Sequence, residues 1–249
     1  MAIIIKTNEQ IELMRIAGKI CAKTHEKLAE YIKPGVTTGE LNEIADDFIK
    51  SNDATATFLG YRGFPKSICA SINEEVIHGI PGNRKLKSGD IISIDIGVCY
   101  KRYHGDAART HAVGQVSEKH QKLIDVTKQS FYEGIKFATA ENRLHDISAA
   151  IGDYVDNYGF GVVTAWCGHG IGRQLHEDPS IPHTRQEKRG VRLKKGMTLA
   201  IEPMINAGTF DVSVLDDTWT VITADGEYSA HYENTILITD SEPEVLTIC

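Results

Sequence analysis

Leu86-Lys-Ser-Gly-Asp-Ile-Ile-Ser-Ile-Asp95 and Leu193-Lys-Lys-Gly-Met-Thr-Leu-Ala-Ile-Glu202 carry leucine, lysine, glycine, isoleucine and a terminal acid at equal positions, 107 residues apart. A second pair lies upstream at an offset of 103. There Ile32-Lys33 followed by Glu40-Leu-Asn-Glu-Ile44 matches Ile135-Lys136 followed by Arg143-Leu-His-Asp-Ile147. Two matches in the same order at nearly the same offset point to a duplication, with halves of about 1–115 and 116–249 joined in one domain without an obvious linker. In the first half Thr7-Asn-Glu-Gln10 has the form of a capping box, and Ile11, Met14, Ala17, Cys21, Thr24 and Leu28 follow at helical spacing until Lys33-Pro34-Gly35. Thr37-Thr-Gly-Glu40 opens a second helix with Leu41, Ile44, Ala45 and Phe48 on one face, and the segments from Ser117 and Asn142 repeat the pair. Strand signals stand at 90–100, 198–205, 219–223 and 235–239. Helices grouped ahead of strands predict an α+β fold, with helices packed on a curved, largely antiparallel sheet and an internal pseudo-twofold.

Composition agrees with a soluble globular chain. Of 249 residues 41% are apolar and 24% charged, which argues against disorder, collagen and low complexity. No apolar run approaches a membrane span, and the isoleucine run at 3–5 is far short of the roughly seven apolar residues a signal peptide needs. A cytoplasmic, membrane-free protein is expected. A net charge of −7 argues against a dedicated nucleic-acid binder, so no DNA partner is expected. Cys21, Cys69, Cys99, Cys167 and Cys249 are scattered with no C-x-x-C, and read as reduced thiols, mostly buried.

The acids carry the functional signal. Each copy of the duplicated strand ends on a carboxylate, Asp95 and Glu202, and an acid inside a buried strand is costly unless it is paired or bound to a cation. Asp106 and Glu233 lie on further strand candidates, within Tyr103-His-Gly-Asp-Ala-Ala-Arg-Thr110 and Ser229-Ala-His-Tyr-Glu-Asn-Thr-Ile-Leu-Ile238. Asp95 and Asp106 are equidistant from the Tyr100-Lys101 midpoint, so a tight hairpin there sets them opposite one another on one face. If the pseudo-twofold unites the two copies, four carboxylates converge. They cannot all stay ionised within a few ångströms, so either some take up protons or divalent metal sits among them. A pair of metals about 3.5–4 Å apart is the usual solution. Histidine could complete the ligand set, and Gly168-His-Gly-Ile-Gly172 packs three glycines around His169, letting the imidazole enter a crowded site. His176-Glu177 is not an H-E-x-x-H motif, Gly168-x-Gly170-x-Gly172 fails the dinucleotide pattern at Arg173, and no P-loop is present.

His78-Gly-Ile-Pro81, Asp95, His104-Gly-Asp106, Gly168-His-Gly-Ile-Gly172, His176-Glu-Asp-Pro179, Ile201-Glu-Pro-Met204 and Tyr232-Glu-Asn-Thr235 together resemble the site motifs of type I methionine aminopeptidases, of the bacterial kind without an N-terminal extension. The likeness runs in order along essentially the whole chain. It implies the pita-bread fold and removal of N-terminal methionine from nascent proteins and peptides when the second residue is small, by dinuclear-metal-assisted hydrolysis of the first peptide bond. By the resemblance the ligands of two divalent ions (Co, Mn, Fe or Zn, among which the sequence does not choose) are Asp95, Asp106, His169, Glu202 and Glu233. Glu202 doubles as proton shuttle, His176 donates to the scissile carbonyl and His78 contacts the substrate backbone and assists proton transfer. His104 is read as supporting or structural. The methionine pocket falls on Phe58, Tyr61, Phe64, Cys69, His78, Leu175, His176 and Trp219. Three positions depart from the family pattern: Phe64 where tyrosine is common, Leu175 where phenylalanine is common, and Ala107 where a hydroxyl residue often follows the metal aspartate.

The expected partners are N-terminal-methionine peptides and nascent chains. Ala2 is small, so the chain should be a substrate of its own activity, which an intact mass would reveal. The segment 185–195 holds six basic residues in an acidic chain and has two readings, a solvated loop and a ribosome contact; a monomer is expected. An Xaa-Pro peptidase would carry an extra N-terminal domain, a type II methionine aminopeptidase an insertion in the second half, and a binding-only relative would have lost metal ligands. None of these fits the residues as well.

Overall fold

The computed structural model describes residues 3–249; Met1 and Ala2, on which the self-processing expectation falls, lie outside them. In chain order come α1 (Asn8–Ala29), α2 (Thr38–Ser51), β1 (Thr55–Ala56), β2 (Cys69–Ile72), β3 (Glu75–Ile77), β4 (Ile91–Tyr100) and β5 (Tyr103–Ala112). There follow α3 (Glu118–Ile135), α4 (Leu144–Asp156), β6 (Gly161–Val162), β7 (Gly168–Gly170), β8 (Glu177–Ile181) and β9 (Thr198–Ile201). The chain closes with β10 (Met204–Asn206), β11 (Val212–Val214), β12 (Val221–Thr223), β13 (Ser229–His231), β14 (Asn234–Leu237) and β15 (Glu244–Val245). No described helix is long and apolar enough to cross a membrane.

Both predicted capping boxes form. Thr7 and Gln10 cap α1 reciprocally, as Thr37 and Glu40 cap α2, each pair satisfying two orphan N–H groups. The helix predicted to run to Lys33 stops at Ala29, where Glu30 caps it by donating back to Lys27 and Leu28. One face of α1 buries Met14, Ala17, Cys21 and Leu28 against β4 and β5. Each large apolar side chain buried there stabilises the packing by about 1.5–3 kcal/mol. The closest approach is at Gly105, where a Cβ would stand 2.8 Å from the Cα of Gly18, so the helix lies directly on the strand that carries Asp106. A methyl at Gly105 would lift α1 off that strand.

All strand pairs are antiparallel, in four hydrogen-bonded groups: β1-β4-β2 with β5 on β4, β13-β10-β6, β11-β12-β3, and β15-β14-β9-β7-β8. The helical pair α1–α2 covers the first group over Leu28, Leu41, Ile49, Ile92, Ile94 and Ile96. The pair α3–α4 covers the last over Phe131, Ile147, Ile151, Leu199, Ile201 and Ile236. These groups are stitched together rather than separate. Ala108 of β5 and Glu233 exchange backbone hydrogen bonds in both directions, at 3.0 and 3.3 Å. That exchange brings the strand that carries Asp106 beside the segment that carries Glu233.

Candidate metal centre and active site

The β4–β5 hairpin turns through Lys101 and Arg102, whose φ values of 46° and 71° suit a two-residue hairpin loop. The turn therefore sits one residue beyond the expected Tyr100-Lys101 midpoint. Asp95 pairs with Ala108 and Asp106 with Gly97, so the two acids are diagonal neighbours and not directly opposite as expected. The offset is an even number of residues, so both side chains keep the same face. Their carboxyls are close enough for each to shift the titration of the other.

Glu202 occupies a break. The stretch expected as one strand over 198–205 is interrupted between β9 and β10, because Pro203 offers no N–H to a ladder. The Glu202 N–H donates to His183 Nε2 at 3.4 Å. Glu233 occupies the equivalent gap between β13 and β14. Arg109 holds that gap: it donates to the Glu233 carbonyl, to Asn234 Oδ1 at 2.6 Å and to the Thr247 carbonyl at 3.1 Å, and stands 4.5 Å from the Tyr232 ring centre.

His169 on β7 donates Nδ1–H to the Gly170 carbonyl at 2.9 Å, which leaves the Nε2 lone pair aimed at Glu202 Oε1, 3.5 Å away. The glycines beside it serve close packing: a Cβ on Gly168 would stand 2.4 Å from the Ala200 carbonyl oxygen, and one on Gly170 2.1 Å from that of Asp178. Donor atoms of Asp106, His169 and Glu233 all lie within 4.8 Å of one another, and so do those of Glu202, His231 and Glu233. Asp95 joins through Asp106. The five residues assigned by resemblance are thus brought together, with His231 added.

Burial pushes Asp95, Glu202 and Glu233 well above the usual carboxylate range, and the neighbouring negative charges push further. Asp106 is pushed up to about 7, chiefly by burial. His169 is lowered to about 3, again chiefly by burial, so it is a neutral imidazole at ordinary pH. Asp95 Oδ1, Asp106 Oδ1 and Glu233 Oε1 are buried and accept no hydrogen bond from the described residues. A divalent cation answers both needs, because it supplies the missing partner and holds the carboxylates ionised. The donor set fits such ions. Side chains of His169 and Glu202 retain 10% and 14% exposure, so the cluster opens to solvent along that edge.

The expected pocket residues assemble beside this opening. Phe58, Phe64, Cys69 and Leu175 pack in one buried cluster with Tyr61 and Trp219. Phe64 meets Trp219 edge-on at 5.1 Å, and His78 meets Trp166 and Trp219 at 5.2 and 6.2 Å between ring centres. His78 holds a left-handed backbone, φ 60°, which an imidazole side chain adopts only at a cost. His176 joins pocket to cluster: its ring centre is 4.2 Å from that of His169, and its Nδ1 is 2.7 Å from the Tyr61 hydroxyl. His104 lies outside the donor groups, bonded through Nδ1 to Thr57 Oγ1 at 3.0 Å.

Three contributors escaped the sequence reading: His231, Arg109 and Lys6. His231 stands two residues before Glu233, a spacing that strand alternation places on one face, and that was the available signal. Arg109 and Lys6 act across long sequence distances that no local pattern encodes. Lys6 forms an enclosed ion pair, 2.5 Å, with Glu177 next to His176.

Residues 12–240 match the sequence profile of metallopeptidase family M24. The chain is 53% identical over 246 residues to the methionine aminopeptidase of Clostridium perfringens, with 99% of each chain aligned. It superposes on the crystal structure of methionine aminopeptidase from Thermotoga maritima with a TM-score of 0.98 at 42% identity, over 100% of both chains. Prolidase from Pyrococcus furiosus shares the fold at a TM-score of 0.77 and 24% identity, the match covering 99% of this chain and 66% of that one. The architecture common to all three structures is the pita-bread α+β fold.

Proposed function

The chain belongs to metallopeptidase family M24 and, within it, to the methionine aminopeptidases, hydrolases that release N-terminal methionine, and we propose that its reaction runs on two divalent ions held by Asp95, Asp106, His169, Glu202 and Glu233. The observation that carries this is the convergence of four mutually repelling carboxylates, Asp106 and Glu233 buried and Asp95 and Glu202 half-buried, with one neutral imidazole at the seam between the halves. Co, Mn, Fe and Zn all suit the donor set. When bound, such a pair supplies Lewis acidity and a water of lowered pKa.

The protein's own groups have distinct tasks. Glu202, at the solvent-facing edge, takes the proton of the attacking water and passes it to the leaving amine. His176 is neutral, its pKa lowered to about 4 chiefly by burial. With the Tyr61 hydroxyl donating to Nδ1, the tautomer places N–H on Nε2, which donates to the scissile carbonyl as charge builds on its oxygen. His78, also held neutral by burial, contacts the substrate backbone and assists proton transfer. Phe58, Tyr61, Phe64, Cys69, Leu175 and Trp219 enclose the methionine side chain, whose thioether gains from contact area and aromatic neighbours. Substitution of Phe64 and Leu175 for larger or hydroxylated residues reshapes this wall. Ala107 removes a hydroxyl beside Asp106.

The same reading covers the chain's setting. It acts in the cytoplasm as a monomer, one domain of two related halves, on nascent chains and peptides whose second residue is small. Support for the halves comes from the two helix pairs, each covering its own acid-bearing strand group. The basic segment 185–195 is the ribosome contact. Lys188, Arg192 and Lys194 make no ion pair among the described residues, whereas Arg185, Arg189 and Lys195 are tied to Asp153, Asp146 and Asp240. Charge reversal at Arg189, Arg192 and Lys195 should weaken ribosome co-sedimentation; unchanged binding would refute the contact. Substrate preference tests the activity. Methionine release from Met-Ala-Ser should far exceed release from Met-Lys-Ser, and an Xaa-Pro dipeptide should remain intact. Preferential cleavage of the Xaa-Pro dipeptide would overturn the reading.

A further inference from the structure

His231 lies at the end of β13 with 1% of its surface exposed, and its Nε2 has no hydrogen-bond partner among the described residues. That atom is not isolated. It faces Glu202 Oε2 at 3.7 Å, while the other oxygen of the same carboxylate faces His169 Nε2 at 3.5 Å. Glu202 therefore stands between two imidazoles, one to each oxygen. Neither separation is a hydrogen bond of normal length. Both match the spacing of neighbouring donors around one ion: with metal–ligand bonds near 2.0–2.2 Å, tetrahedral ligand atoms lie about 3.4 Å apart. Glu233 completes the second group as it completes the first, its donor atom within 4.8 Å of those of Glu202 and His231.

Taking the reading of a two-ion centre as given, we propose that His231 is a metal ligand, supplying the second ion with an imidazole of its own. The centre then has two imidazoles, His169 on one ion and His231 on the other, with Glu202 and Glu233 between them. The buried, unpartnered nitrogen is the independent observation. An apolar residue could line that wall at less cost than a desolvated imidazole with nothing to bond. The backbone is already fixed for the role: the His231 N–H donates to Thr110 Oγ1 at 2.9 Å, and its carbonyl accepts from the same hydroxyl at 2.8 Å, so the strand carrying the ring is pinned to β5 at Thr110.

X-ray absorption at the zinc edge of the intact chain loaded with two equivalents of zinc counts imidazoles without reference to activity. Two histidine ligands shared by two ions give an average of one imidazole per zinc; His169 alone gives half of one. The expected result is one, falling to half in His231→Gln, together with at least a tenfold weaker second step in a zinc titration followed by calorimetry and an unaltered first step. Half an imidazole per zinc in the unsubstituted chain would overturn the proposal whether or not the variant folds, as would a variant whose two binding steps match the parent's. Two tight zinc sites and methionine release with only half an imidazole per zinc would sink this inference alone. Failure of the unsubstituted chain both to take up zinc and to release methionine would remove the two-ion reading and the inference with it.

Discussion

Gly170→Ala perturbs the centre without removing a single donor. A Cβ at this position would stand 2.1 Å from the carbonyl oxygen of Asp178 and 2.6 Å from its carbon, both backbone atoms that cannot swing aside. A methyl and a carbonyl oxygen settle no closer than about 3.2 Å, so β7 must separate from β8 by roughly 1 Å. The displacement falls next to His169, where the β7–β8 register already shifts between His169 and Gly170. Moving a reacting or ligating group by about 1 Å costs on the order of a hundredfold in rate, and overpacking a filled site costs about 1–3 kcal/mol of stability. The expected outcome is a fall of roughly a hundredfold in kcat/KM for Met-Ala-Ser at saturating metal, with weaker zinc binding by calorimetry. Gly82→Ala is the control, since a Cβ there meets nothing closer than 4.0 Å, and it should keep its activity. A folded Gly170→Ala with kcat/KM within threefold of the parent would show that His169 is not held by this close strand contact.

Tyr61→Phe removes the hydroxyl 2.7 Å from His176 Nδ1 and frees the ring to change tautomer; the loss of one hydrogen bond, about 1 kcal/mol, should appear as a five- to tenfold lower kcat with KM little changed in steady-state assays. Lys6→Met strips the partner from Glu177, whose side chain is 5% exposed, and should cost about 3–5 kcal/mol in urea unfolding, while Lys6→Met with Glu177→Gln recovers most of it. His25 and His111 are kept neutral chiefly by burial, His111 with its pKa lowered to about 4 and His25 well below its usual value. Unfolded, each takes up a proton near 6.5, so the unfolded chain binds more protons just below that pH and stability falls as pH drops. The contribution is up to about 2 kcal/mol per histidine near pH 5, and His25→Asn should flatten the measured profile of unfolding free energy against pH.

What was legible in the chain was whatever local spacing encodes. The capping boxes at Thr7 and Thr37, the helical faces behind them and the acid-tipped isoleucine strands all follow from neighbours in sequence. Errors arose where the chain turned without its usual markers. Lys101-Arg102 forms the hairpin loop although neither residue is glycine or asparagine, so symmetry about Tyr100-Lys101 was a reasonable but displaced expectation. Pro203 should have warned that the stretch around Glu202 could not remain one strand, and that break is what sets the carboxylate apart from the ladder. The choice of His169 among ten histidines rested on resemblance to a family, since a glycine-flanked imidazole has no unique meaning by itself. The contacts of Tyr61 with His176, Arg109 with the Glu233 segment, and Lys6 with Glu177 span 115, 124 and 171 residues, beyond the reach of any periodicity.

The central claim is that side chains from both halves hold two ions and that hydrolysis depends on them. Protein stripped of metal, then given measured equivalents of Co, Mn, Fe or Zn while methionine release from Met-Ala-Ser is followed, tests it directly. The account predicts no release before addition, a rise that levels at two equivalents with at least one of these ions, and abolition by chelator or by Asp106→Asn. Release that persists in stripped protein, or no release with any ion from a folded chain, would contradict it.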